Sequence, residues 1–198
     1  MKNLRLGAVM LLCATLIIAA MPTEAEAQIY EDTLRLHILA ASDSEEDQAL
    51  KYEIRDEVLK KYGCELSKAS SPENASSLAE ELLPEIKKDA AMWVSERGYD
   101  YPVSATLTEE WYDTREYEDF TLPAGYYKSL QIIIDGGEGK NWWCVLYPPL
   151  CTELATESAP ADDGLIDYTK EEVTLIKSGG YNIKFKILEV AARAFRKK

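Results

Sequence analysis

Leu34, Leu36, Ile38 and Ala40 alternate with Arg35 and His37, the period of two that marks a half-buried strand. His37 is expected on the solvent side of that strand. Directly beyond it the period lengthens. Leu50, Ile54 and Val58 recur every four residues, with Lys51, Arg55, Asp56 and Lys60 outside, which predicts an amphipathic helix ended by Gly63. Ser44, followed three residues on by Asp47, has the spacing of a capping box at its start. A second helix is predicted from Asn74 to about Arg97, with the apolar stripe Leu78, Leu82, Ile86, Ala90 and Trp93, a kink at Pro84 and a stop at Gly98.

From Tyr101 the pattern changes to aromatic and β-branched runs. YPVSATLTEEWY, EYEDFTLPAGYYKSLQIIID and KNWWCVLYPPLC predict antiparallel strands, with Gly136-Gly137-Glu138-Gly139 as a hairpin turn between the last two. Residues 156–180, which include Pro160, Asp162, Asp163, Gly164, Gly179 and Gly180, read as a flexible acidic segment. An amphipathic helix over residues 183–195 is expected to dock on the sheet through Leu188, Ala192 and Phe195. Two N-terminal helices, an antiparallel sheet and a C-terminal helix packed on it make an α+β fold.

Length and composition fix how many such cores to expect. A chain of 198 residues, 46% hydrophobic, predicts one globular domain. Residues 1–27 stand apart from it, because Lys2 and Arg5 precede an apolar run from Ala8 to Met21 and Ala25-Glu26-Ala27 offers the small residues a signal peptidase reads. That run is 14 residues, about 21 Å as a helix against the ~30 Å of hydrocarbon, so a removable signal with its cut before Gln28 is expected. The domain is then residues 28–198 and extracytoplasmic. The net charge of −13 repels phosphate backbones, which argues against nucleic acid as a partner. Lys184, Lys186, Arg193, Arg196, Lys197 and Lys198 make the extreme C-terminus basic, as suits the end of a helix.

Outside the cytoplasm a thiol pair within reach oxidises, and Cys144 with Cys151 is the natural pair, the intervening Pro148-Pro149 bending the chain between them. Such a bridge contributes roughly 2.5 kcal/mol by the loop-entropy relation. A metal half-site at this spacing lacks a second pair, and Cys64 is expected as a buried thiol. His37 is the only histidine, so a Cys/His hydrolase would have to pair it with Cys144. The acidic run from Asp43 to Asp47 lies at a predicted helix start, where negative charge is stabilised without a ligand. No catalytic group, metal, cofactor or small-molecule substrate is expected. Strand geometry sends Trp142 and Trp143 to opposite faces, and Tyr126 and Tyr127 likewise, so one of each pair is available as a binding anchor. Trp142, Trp143, Tyr126, Tyr127, Asp43 and Asp47 are the candidate partner-binding residues.

The segment LRLHILAASDSEEDQALKYEIRD resembles the N-terminal signature of the stage II sporulation protein R family. EDFTLPAGYYKSLQIIIDGGEGKNWWCVLYPPLC is similar to the second signature, and Phe185-Lys186-Ile187 adds a looser match near the end. Ala41 stands where that family commonly has Asn. The resemblance implies an intercompartmental signal of endospore formation, exported from the forespore into the space between two membranes. There it would activate a membrane-embedded, aspartic-type protease of the mother cell, which removes the pro-sequence of a sigma factor. The alternative from a different class is an extracytoplasmic Cys/His hydrolase or thiol enzyme using His37, and a third, within the sporulation setting the resemblance implies, is a structural protein of the spore envelope.

Overall fold

A computed structural model describes residues 6–7, 10–11, 14–15, 21, 23–117, 120–150 and 168–177. The chain divides into two compact units, one of Ile29–Glu110 with Tyr126–Thr169, the other of Met1–Gln28, Trp111–Gly125 and Lys170–Lys198. Among the described residues no helix is long and apolar enough to cross a membrane.

Helix α1 (Glu24–Glu31) opens on a reciprocal cap: the Thr23 amide donates to Glu26 Oε2 at 2.7 Å and the Glu26 amide to Thr23 Oγ1 at 3.3 Å. The central strand β1 (Leu34–Leu39) follows. Helix α2 (Glu45–Val58) starts where Ser44 Oγ accepts the Asp47 amide, half of the expected box. The other half is replaced, since Asp47 accepts from Ser42 Oγ at 2.5 Å, and Ser42 Oγ takes the Ser44 amide at 3.1 Å. Gly63 does not end the helix. The chain passes through a π turn (Leu59–Gly63) into α3 (Cys64–Leu66), because Leu59, Tyr62 and Leu66 prolong the buried stripe of α2.

Helix α4 (Pro72–Glu96) is capped by Ser71, with proline in its first turn, and Pro84 lies within it. It buries Ala75, Ala79, Ile86, Ala90 and Val94. Asp89 ties it to the π turn: Tyr62 donates to Asp89 at 2.5 Å and Lys61 bonds both Asp89 and Glu85. The Lys61 and Tyr62 hydrogen bonds hold the Asp89 carboxyl below its usual range. Burial, then Asp89, pushes the Tyr62 phenol up to about 12.

The strands β2 (Val103–Tyr112), β5 (Gly125–Ile134) and β6 (Asn141–Tyr147) join β1 in the order β2-β5-β1-β6. The class is α+β as read, but the sheet is mixed. β1 runs parallel to β5, Leu34 opposite Lys128 through Leu39 opposite Ile133, and antiparallel to β6. A parallel neighbour needs a long crossover, and the chain through α2, α4 and β2 supplies it. The expected hairpin at Gly136–Gly139 is therefore not one, since β1 lies between the two strands it joins. The segment still turns sharply, with Asp135 at φ 55° and Gly137 at φ +65°, where a Cβ would sit 2.7 Å from Ile133 Cγ2.

In the other unit, β3 (Arg115–Glu116) pairs antiparallel with β4 (Thr121–Leu122), and Tyr117 stacks on Phe120 at 4.4 Å. Helix α5 (Lys170–Lys177) packs on β4 and buries Ile176, so part of the segment read as flexible is helical. The helix expected over residues 183–195 lies outside the described residues.

Candidate functional site

Two connections meet at the C-terminal end of β1. One is Ala40–Ser44, leading into α2; the other is Asp135–Lys140, between β5 and β6. The Gly139 amide donates to the Ala40 carbonyl at 2.9 Å, and the Lys140 amide to Asp43 Oδ1 at 2.7 Å. Lys51 reaches up from α2 to donate to the Lys140 carbonyl at 3.0 Å and to Gln48 Oε1 at 2.7 Å. Gln48 in turn donates to the Ser42 carbonyl at 2.8 Å. A Cβ on Gly139 would fall inside the van der Waals shell of that same carbonyl, so only glycine lets the loops close this far.

This latch alters the standing of three residues. Lys51, expected outside, is buried to 1% exposure because its hydrogen bonds fix it between the loops. Burial depresses its ammonium pKa, with Asp43 opposing that shift. Asp47 is interior at 6%, and Asp43 is exposed while spending one oxygen on Lys140. Burial, and then its hydrogen bond with Asp47, raises the Tyr101 phenol. Sequence periodicity missed Gln48, Lys51 and Gly139 as members, although the glycine-rich run was a signal for close backbone approach.

On the sheet face away from α2 and α4, a second polar group crosses all four strands. His37 Nδ1 lies 2.7 Å from Glu110 Oε2, and Nε2 lies 3.1 Å from Asn141 Oδ1. Gln131 donates to Glu110 Oε1 at 2.9 Å, and the Trp143 ring stacks on the imidazole at 5.5 Å. His37 is thus 7% exposed rather than solvated, for the second face is also an interior. Further along that face, Arg35 and Tyr127 are buried, the guanidinium 5.0 Å above the ring, and Tyr30 meets Tyr127 edge-on at 5.1 Å.

The aromatic pairs divide by face as strand geometry demands. Trp142 is half-buried against the helix-side core with the Arg55 guanidinium 5.2 Å over its ring, whereas Trp143 is half-buried beside His37. Tyr126 is 63% exposed and Tyr127 1%. Cys144 sits opposite Leu36 in the core, one register position from the His37–Trp143 pair. Side chains at those two positions leave the sheet on opposite sides, so a dyad of His37 with Cys144 is not assembled. Cys64 is a half-buried free thiol and Cys144 is buried, while Cys151, its expected partner, lies outside the described residues. Among the described residues no group of three His, Cys, Asp or Glu is placed to hold a metal ion.

Comparison with known proteins places this arrangement. Stage II sporulation protein R of Bacillus subtilis (strain 168) is 39% identical over 123 residues, 62% of this chain and 55% of that protein. The chain thus spans about half the length of that curated relative. No solved structure matches the chain. The profile described as stage II sporulation protein R matches residues 30–157, which take in β1, both loops of the latch and β2 to β6. Because that profile matches more than half of the sequence, the chain belongs to the stage II sporulation protein R family.

Proposed function

We propose that this chain is a secreted, non-enzymatic signal of endospore formation, which activates a membrane-embedded protease of the neighbouring compartment and so triggers processing of a pro-sigma factor. The observation that carries the reading is the family match across residues 30–157, which covers the sheet and its latch as one block. A rigid scaffold suits a protein that acts by binding, since only a difference in affinity for two receptor arrangements shifts their equilibrium. A coupling of about 1–3 kcal/mol would suffice. Export ahead of Gln28 and a Cys144–Cys151 bridge complete the proposal. Intact mass of the exported product, with and without alkylation, tests both, and three free thiols would refute the bridge. The exposed Tyr126 and the Arg55-covered Trp142 are the proposed receptor contacts from the aromatic set.

The deciding experiment adds purified residues 28–198 to membranes carrying the candidate protease and its pro-sigma substrate. Cleavage that depends on the folded protein is expected. A folded sample that leaves the substrate intact at saturating concentration would remove this reading.

A further inference from the structure

Strand β2 is one outer strand of the four-stranded sheet, and among the described residues no strand lies on its far side. Proteins ordinarily blunt such an edge with Lys, Pro or an inward charge. From Val103 to Thr108 the sequence VSATLT carries none of these, only residues that suit a strand. Its side chains alternate as the pleat requires: Val103 is buried, Ala105 and Leu107 pack on the helix-side core, and Ser104, Thr106 and Thr108 are exposed.

Beside this edge, between β2 and α4, lies a groove of about 300 Å³. Leu107 and the buried Ser76 are its least exposed walls, and Glu73, Glu80 and Glu109 line it from exposed positions. Lys128 is the one cation among its lining residues. Neighbours on adjacent strands share a face, so a chain added along β2 would place the side chain opposite Leu107 into this groove. A side chain with an apolar stem and a cationic head fits both the wall and the rim.

We propose that the outer edge of β2 accepts an extended basic segment of a partner protein as a fifth strand, one Lys or Arg of it seated on Leu107 among Glu73, Glu80 and Glu109. The main chain of β2 supplies affinity and the groove supplies selection. A second copy of this chain is the wrong occupant, because it would bring the same carboxylates against themselves. The inference rests on the reading that the chain acts by binding a protein, but it concerns a measurable property of the isolated molecule.

The test uses a capped peptide of about eight residues alternating Lys with Val and Thr, long enough to run along the strand at ~3.3 Å per residue. A second peptide carries Glu for every Lys. Binding to the full exported protein is measured at ~0.15 M salt, where long-range attraction to the acidic surface is screened, together with amide hydrogen exchange. The Lys peptide is expected to bind and to protect the amides of residues 104–108, and the Glu peptide to do neither. Glu73→Lys with Glu80→Lys should weaken binding at least tenfold, while the control pair Glu65→Lys with Glu96→Lys, exposed on other parts of the helices, changes it less than twofold. All four positions are solvent-exposed, and because Glu73 also hydrogen-bonds at the α4 N-terminus, Glu80→Lys alone, which touches no cap, must show a loss in the same direction. No binding of the Lys peptide, binding without protection of β2, equal loss in both variant pairs, or protection of β2 by self-association would each overturn the proposal. Protease activation by the same variants is scored separately, so that loss of peptide binding with activation intact sinks this site and leaves the signalling role standing.

Discussion

The two faces of β1 are buried to the same degree by different means. Toward the helices, Leu34, Leu36 and Ile38 are at most 1% exposed and packed against apolar side chains. Toward the other side, Arg35 and His37 are 0% and 7% exposed. The first interior is held by area removed from water, at roughly 25 cal/mol per Å². At His37 the second accommodates polar atoms because they are partnered, by Glu110 and Asn141. The alternation in LRLHIL thus separates two kinds of interior, and does not separate inside from outside.

That contrast can be broken at several points. Ile38→Ala should be the costliest, about 3–4 kcal/mol in a denaturant melt, since a fully buried branched side chain leaves a cavity. Gly139→Ala follows at about 2–3 kcal/mol, because the new methyl meets backbone oxygen that cannot rotate away. Faster exchange of the Lys140 amide would show that the latch, rather than the sheet, has opened.

His37→Ala should cost about 1–2 kcal/mol, the penalty of leaving Glu110 and Asn141 short of a partner. A double-mutant cycle with Glu110→Gln should return a coupling of at least about 0.5 kcal/mol, and zero coupling would dissolve the polar interior as a unit. Protease activation by folded His37→Ala should stay within a few-fold of the parent, and a hundredfold loss would favour catalysis instead.

The smallest effect is pH-dependent. The folded Asp89 carboxyl titrates below its usual 3.8, so its stabilisation is complete above that value and disappears as the pH falls through the folded one. Asp89→Asn should therefore cost about 1 kcal/mol at neutral pH, and the two melting curves should converge in acid. An unchanged gap at pH 2 would mean that the amide loses packing rather than charge.

Much of the helical frame was legible because its signals are local. Ser44 caps α2 and the stripe through Ile86 and Ala90 defines α4, as periodicity and capping chemistry require. The misreadings share one cause, which is that sequence pattern reports a residue's neighbours along the chain. Gly63 looked like a stop, yet Tyr62 and Leu66 found burial beyond it. Lys51 looked solvent-facing, yet a carbonyl from a loop distant in sequence receives it. Gly136–Gly139 looked like a hairpin because nothing local reveals that β1 intervenes. Of the candidate contacts, the division of Trp142 from Trp143 and Tyr126 from Tyr127 was legible. That Trp143 has His37 to lean on was not.

The parallel seating of β1 beside β5 sets an order of events in time. Its hydrogen-bonding partners on both sides lie roughly 90 or more residues downstream, and pairings of such long range form slowly. Whenever the chain emerges N-terminus first, LRLHIL must wait, with its apolar side uncovered, until β5 and β6 have followed. Helices α2 and α4 can nucleate from their own caps meanwhile and offer that strand a temporary shelter. The middle of the sheet is therefore the last part to be completed. An interruption anywhere before Tyr147 leaves this strand as an open edge for another molecule to join.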